Sequence, residues 1–310
     1  MIPLAIGVFF INLSYQNTTP EDRISIIKYI QNADYFFVFL SAFFGILSHV
    51  SRAVRWQYLL EPLGYHPKTI NSILAVFIGY LSNLGIPRSG ELIRATTMNR
   101  YENIPFHKGF GTVIVERVID LALLMLCILL ALGLQYDLIA DYLSLENLNF
   151  SQMVFSMIIL TLLVILFRKL FLQSTHPFTK KIKHFFQGIW EGMMSIKRMK
   201  NKGLFITHTI FIWLMYILMF WIVKFSIPET ISLEMKAIFP AFVVGGLSIS
   251  ATNGGVGIYP YSVSLVLIAF GISKESSLAF GWISWTCQTL MLVIFGAMAF
   301  FALPLVNRQK

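Results

Sequence analysis

Charged residues are scarce in this sequence: Asp, Glu, Lys and Arg make up 13% of its 310 residues, against about 25% in an ordinary soluble domain. A soluble fold of this length needs polar faces to cover its surface, and this composition cannot supply them. Acidic residues are the scarcer sign, 15 against 24 Lys and Arg, for a net charge of +9. No basic stretch alternates with aromatics outside an apolar setting, so no nucleic-acid partner is expected. Cysteine is reduced to Cys127 and Cys287, both within apolar stretches and outside any Cys-x-x-Cys spacing, which argues against disulfide frameworks and thiolate metal sites. The six His, at 49, 66, 107, 176, 184 and 208, make no i,i+4 pair and no His-Glu-x-x-His. Also missing are a G-x-x-x-x-G-K-[ST] loop, a dinucleotide fingerprint and a G-x-S-x-G elbow. No metal, cofactor or catalytic residue is therefore assigned, and any uphill work must draw on an ion gradient or a partner.

What is abundant is apolar: 56% of the residues, 28 of them Phe. They fall in blocks approaching the ~20 residues that cross a bilayer core, at about 1–14, 35–51, 70–85, 106–134, 151–167, 203–224, 235–251, 256–272 and 277–303. The fold class expected is all-α, a polytopic integral membrane protein forming one membrane domain over 1–310. Residues 1–14 lack the basic start and cleavage site of a signal peptide. They read as a first membrane helix, in a chain expected to begin a few residues upstream.

The connections set the topology. Residues 168–202 carry nine Lys and Arg against Glu191 alone and are expected in the cytoplasm, whereas 135–150, with Asp137, Asp141 and Glu146 and no basic residue, fits the outside. Residues 51–68 also read as cytoplasmic. The chain must then leave and return on one side between 70 and 105. The 70–84 stretch is about 22 Å long as a helix, short of a 30 Å core, and ends at the helix-breaking Gly85-Ile86-Pro87-Arg88-Ser89-Gly90. A re-entrant hairpin solves the count. Asn253-Gly254-Gly255-Val256-Gly257 breaks the second half in the same way. The halves are offset by 168 residues, both at 203 against 35 and at 277 against 109. The architecture expected is about six spanning helices plus two re-entrant helical hairpins in an inverted repeat, the sequence pointer to a transporter. The repeats are 35–134 and 203–303, joined by 168–202. Within that linker, apolar residues recur at helical spacing from Phe178 to Met194 with Lys on the other face, so 178–202 is expected to lie on an anionic lipid surface. Both termini are expected in the cytoplasm.

Charges inside apolar segments mark the candidate binding site. Arg88, Glu91 and Arg94 lie at and beyond the first hairpin tip, where Arg88 and the free N–H groups of a helix start suit an anionic headgroup. Glu91 and Arg94 are spaced i,i+3 and can pair. Glu116, Arg117 and Asp120 interrupt the 106–134 segment, with Asp120 about 16 Å beyond Gly109. They either close on one another as a structural ion cluster or line a polar cavity. The positions 168 residues on, Ser284 and Gln288, are also polar, which favours the cavity. Arg52 and Arg55, before Trp56, read as anchors at the cytoplasmic end of the second segment with a further headgroup role. Asn253, Gly254, Gly255 and Gly257 form the uncharged second tip.

R-A-V-R-W at 52–56, G-Y-L-S-N at 79–83, P-R-S-G-E-L-I-R at 87–94, E-R-V-I-D at 116–120 and N-G-G-V-G at 253–257, in this order, resemble the membrane domain of the lysylphosphatidylglycerol synthase/flippase family. The resemblance runs from about residue 35 to the C-terminus. Its best-understood members join this domain to a soluble aminoacyl-transferase domain that makes lysyl-phosphatidylglycerol, which the membrane domain moves outward. No such domain follows Lys310 in this sequence. The resemblance thus implies a lipid flippase or scramblase of a bacterial cytoplasmic membrane, with an anionic or polyprenyl-linked lipid as cargo. A homo-oligomer or a separate synthase would be its protein partner. The alternatives are a membrane-embedded transferase acting on a polyprenyl phosphate, with Glu116 or Asp120 as base, and a non-transporting partner subunit.

Overall fold

A computed structural model describes residues 2–135, 199–252 and 254–308, with side chains from Gly7 onward except that of Ala251. Most of the basic linker, including its amphipathic stretch, Asn253, the expected apolar segment 151–167 and all but the first residue of the 135–150 loop lie outside the described residues. Every described element is helical: α1 (Ile2–Gln16), α2 (Pro20–Gln31), α3 (Tyr35–Leu60), α4 (Thr69–Gly85), α5 (Ser89–Glu102), α6 (Phe106–Leu134), α7 (Lys202–Ile222), α8 (Met235–Ala251), α9 (Ile258–Ala269) and α10 (Lys274–Val306), with short 3-10 turns between some of them.

Two series of long, short, short, long helices follow one another, α3–α6 and α7–α10. Stretches Tyr35–Leu63, Lys202–Ser226 and Lys274–Val306 are long and apolar enough to cross a membrane. Helix α6 has 29 residues and no charge from Leu121 to Leu134. The outward faces match. Phe36, Phe39 and Phe43 on α3, Leu121, Leu129 and Leu134 on α6, and Val293, Met298 and Phe301 on α10 are all exposed. Apolar surface on that scale around several long helices is untenable in water and expected against lipid. At 15 residues, α1 is about 22 Å long, short for a span.

Two differences from the sequence expectation concern the first half. Helix α3 runs to Leu60, nine residues past the expected end, because Arg52 and Arg55 are buried inside the protein instead of marking a water boundary. Residues 20–31 form the additional helix α2, started by a capping box in which the Thr19 hydroxyl accepts from Asp22 N–H and the Asp22 carboxylate from Thr19 N–H.

The short helices form two tight pairs, and α10 orients them. At the outer end of the α4–α5 pair, the Glu102 carboxylate accepts from Lys68 N–H at 3.1 Å, and Asn71 and Asn307 exchange amide hydrogen bonds of 3.1 and 2.9 Å. That end therefore lies at the C-terminus of α10. The outer end of the α8–α9 pair shares a buried cluster with the other half of α10: Leu233, Ala237 and Leu267 pack with Ala279, Phe280 and Ile283. The inner tips meet midway, where Leu84 approaches Gly254 to within 3.0 Å of where a Cβ would stand.

Candidate functional site

The first tip is built by its own polar side chains. The Ser89 hydroxyl donates to Ser82 O and Ile86 O at 3.0 and 2.8 Å, and Asn83 Oδ1 accepts from Gly90 N–H at 2.7 Å. One of the N–H groups expected to be free for a headgroup is thus already taken. Arg88 adopts a left-handed conformation, φ 62°, and stands exposed at the mouth of a cavity. The second tip turns on three left-handed glycines, Gly254, Gly255 and Gly257. It is fastened to α10 by Trp285 Nε1, which donates to Gly254 O at 2.8 Å.

Behind the first tip lies a network of charges from three helices. The Glu116 carboxylate on α6 is wholly buried and faces three arginines: Arg52 at 2.6 Å, Arg55 at 3.3 Å and Arg94 at 3.0 Å. Asp120, one turn on, pairs with Arg52 and, at 3.0 Å, with Arg55. The Arg94 guanidinium covers the Trp56 ring at 4.3 Å, and Trp56 Nε1 donates to Thr112 Oγ1 at 2.9 Å. The i,i+3 pairing that this spacing permits within α5 does not form. Arg94 crosses to Glu116 while Glu91 takes Arg117 at 3.1 Å, so both residues bind α5 to α6. Three buried guanidiniums would be ruinous alone. They persist because each meets a carboxylate in a setting where the remaining attraction is strong.

This network forms one wall of a cavity of about 710 Å³ between the two tips. Arg52, Arg88, Arg117 and Asp120 face it, together with His49, Tyr80, Trp213 and Tyr216. Among the described residues the opposite side carries no charge: Gly246, Ser250, Thr252 and Gly254 near the second tip, and Gln288 and Thr289 on α10. Of the residues singled out in the sequence, Arg52, Arg88, Arg117, Asp120, Gly254 and Gln288 reach the cavity. Arg55, Arg94 and Glu116 stand behind its wall, Glu91 holds Arg117, and Gly255 and Gly257 shape the second turn. At the latter, a Cβ would meet Gly7 O at 2.5 Å, so α1 closes over the tip. Sequence reasoning missed the aromatic side of the cavity. His49, Tyr80, Trp213 and Tyr216 are polar aromatics in apolar helices, an ordinary composition with no local signal. Among the described residues no His, Cys, Asp and Glu side chains gather as a metal ion would require.

The chain resembles known proteins along its length. It is 27% identical over 304 residues to a UPF0104 membrane protein of Methanocaldococcus jannaschii, covering 92% of this chain and 89% of that one. It is 24% identical over 272 residues to a UPF0104 membrane protein of Pyrococcus horikoshii, with 80% and 81% covered. A shorter match, 35% identical over 101 residues, relates 32% of the chain to 16% of the glycosyltransferase AglD of Haloferax volcanii. These three relatives are archaeal. No solved structure matches the chain. The family model of the lysylphosphatidylglycerol synthase transmembrane region matches residues 1–296, and the protein is a membrane protein belonging to that family.

Proposed function

We propose that this protein moves a lipid between leaflets of a prokaryotic cytoplasmic membrane, as a flippase or scramblase, with the α4–α5 and α8–α9 pairs entering the bilayer from opposite sides as re-entrant hairpins of an inverted repeat. The observation that carries the reading is the cavity. It lies where two helix tips meet between long helices with apolar outer faces, and it has one charged wall and one neutral wall. A headgroup would be held at the charged wall while acyl or polyprenyl chains stay in lipid. A matched broken-helix pair in each half is the arrangement by which transporters place a site at mid-membrane. The positions of Lys68 and Lys108 support entry and return on one side, since Lys108 Nζ donates to the hydroxyl of Tyr65 at 3.3 Å. The basic linker would rest on anionic lipid, and a lipid synthase would be the natural partner.

The test is reconstitution of purified protein in vesicles with tail-labelled phosphatidylglycerol, phosphatidylcholine and polyprenyl-phosphate probes, followed by chemical quenching of the outer leaflet. Loss of leaflet protection for at least one probe is expected. Protection equal to protein-free vesicles for all of them overturns the reading.

The partial match to a glycosyltransferase keeps a second reading in view, a membrane-embedded transferase. It needs a carboxylate free to act as base. Every carboxylate oxygen of Glu116 and Asp120 is already engaged by an arginine, which leaves neither free to take a substrate proton, and we assign no reaction to them.

A further inference from the structure

We propose that the cavity takes a headgroup of one net negative charge, a phosphodiester, with Arg117 as its binding residue and Glu91 as the group it displaces. This deepens the transfer reading and rests on it for the ligand being a lipid. The network around Glu116 contains four guanidiniums, of Arg52, Arg55, Arg94 and Arg117, and three carboxylates, of Glu91, Glu116 and Asp120. Among the described residues, four against three leaves one positive charge without a counter-charge. A low-dielectric site holding a surplus guanidinium favours an anion of matching charge.

The surplus falls on Arg117. The side chains of Arg52, Arg55 and Arg94 are at most 2% exposed, whereas that of Arg117 is 35% exposed and faces the cavity. Arg117 has one close partner, Glu91 Oε1 at 3.1 Å, with Asp120 farther off at 3.8 Å. The other oxygen of that carboxylate, Glu91 Oε2, is buried and accepts no hydrogen bond. The Glu91–Arg117 pair is thus the loosest in the network, and a phosphodiester offers Arg117 the same bidentate geometry that a carboxylate does.

The other polar groups of the cavity point the same way. Trp213 Nε1 is buried without an acceptor, and Nδ1 of the buried His49 has no partner either. A phosphodiester supplies acceptor oxygens for such groups. A cationic headgroup would meet Arg117 as a like charge. A zwitterion would bring an ammonium group against the same wall, and a pyrophosphate a second negative charge for which the described residues offer no second free guanidinium inside. Arg88 adds a charge only at the exposed mouth, where water and salt screen it.

The experiment is equilibrium binding of radiolabelled dihexanoyl-phosphatidylglycerol to the full chain in neutral detergent, competed by dihexanoyl-phosphatidylcholine or inorganic phosphate. Phosphatidylcholine is expected to compete about tenfold or more less well than unlabelled phosphatidylglycerol, and Arg117→Gln to weaken binding by about tenfold or more, as loss of a charged hydrogen bond implies. Glu91→Gln is expected to tighten binding several-fold, because it frees Arg117. That variant decides the matter even if Arg117→Gln fails to fold. Equal competition by phosphatidylcholine, or a Glu91→Gln protein that binds no better, overturns the proposal. Inorganic phosphate competing as well as the lipid overturns the lipid assignment of the site. Charge-selective binding without leaflet transfer in vesicles leaves this proposal standing and removes the transport reading. Transfer without charge selectivity does the reverse.

Discussion

Gly79 and Gly90 touch backbone to backbone: a Cβ on Gly90 would lie 2.1 Å from the carbonyl oxygen of Gly79. Helices α4 and α5 cross at this point, and the closeness of the crossing brings Arg94 within reach of Glu116. Tyr259 plays against Gly245 in the other pair, where a Cβ on the glycine would stand 2.7 Å from the ring. Both pairs are held at a separation that only glycine on one side permits.

Gly90→Ala should therefore force the pair apart and lower stability by about 1–3 kcal/mol, the usual cost of overpacking. Gly111→Ala on α6 is the control, since no described residue lies within 4 Å of its Cβ position. It should gain about 0.5–1 kcal/mol from helix propensity. Thermal unfolding in detergent measures both, and a Gly90→Ala protein as stable as the parent would show that the crossing has slack.

Glu116→Gln should be the most damaging single change in the network. It leaves Arg94 without a carboxylate and deprives Arg52 and Arg55 of one each, a loss of about 3–5 kcal/mol for a broken buried pair. Adding Arg94→Gln should recover part of that loss, because the orphaned charge is then gone. A double-mutant cycle on unfolding free energies reads the coupling, and additive losses would mean that the pair does not act as one.

Asp120→Ala should abolish lipid transfer while the chain still inserts, with the stability loss toward the lower end of about 3–5 kcal/mol because Arg52 and Arg55 retain Glu116. Asp120→Asn separates charge from shape. Full transfer by the Asn variant in the vesicle assay would show that the charge of this carboxylate is not needed for transfer.

Outside the spanning segments, Asp22 joins α2 to the start of α10. Lys274 donates to it at 2.9 Å, and this hydrogen bond, with the capping bonds to Thr19, lowers its pKa from 3.8 to about 2. A carboxylate with a depressed folded-state pKa stabilises fully above its ordinary value, and the contribution fades as pH falls through the folded value. The parent protein should consequently lose its advantage over Asp22→Asn between about pH 4 and pH 2. Melting temperatures of the two proteins across that window test it, and a constant difference would mean that the pair contributes nothing.

Helix positions were largely legible in the sequence because hydropathy fixes them: 106–134 and 235–251 coincide with α6 and α8. The short α2 was legible too, in Thr19-Pro20-Glu21-Asp22, but a scan for apolar blocks passes over a polar helix. The end of α3 was misplaced for a deeper reason. A basic residue beside Trp at the end of an apolar run ordinarily marks the interface, and only Glu116 and Asp120, more than 60 residues away along the chain, make Arg52 and Arg55 interior residues. Glu91 and Arg94 show the converse, a local pairing that their spacing permits but partners on the next helix override. Pairings made across helices leave no local spacing to read.

The buried arginines also bear on how the chain is made. Arg52 and Arg55 leave the ribosome on α3 well before Glu116 and Asp120 follow on α6. They stand about 26 and 30 Å along α3 from its first residue, close enough to one end of a span for their long side chains to reach the headgroups while α3 is alone. Their burial should therefore be completed only when α6 packs against α3, so that the last step in assembling the first half is the withdrawal of two guanidiniums from the membrane surface into the protein.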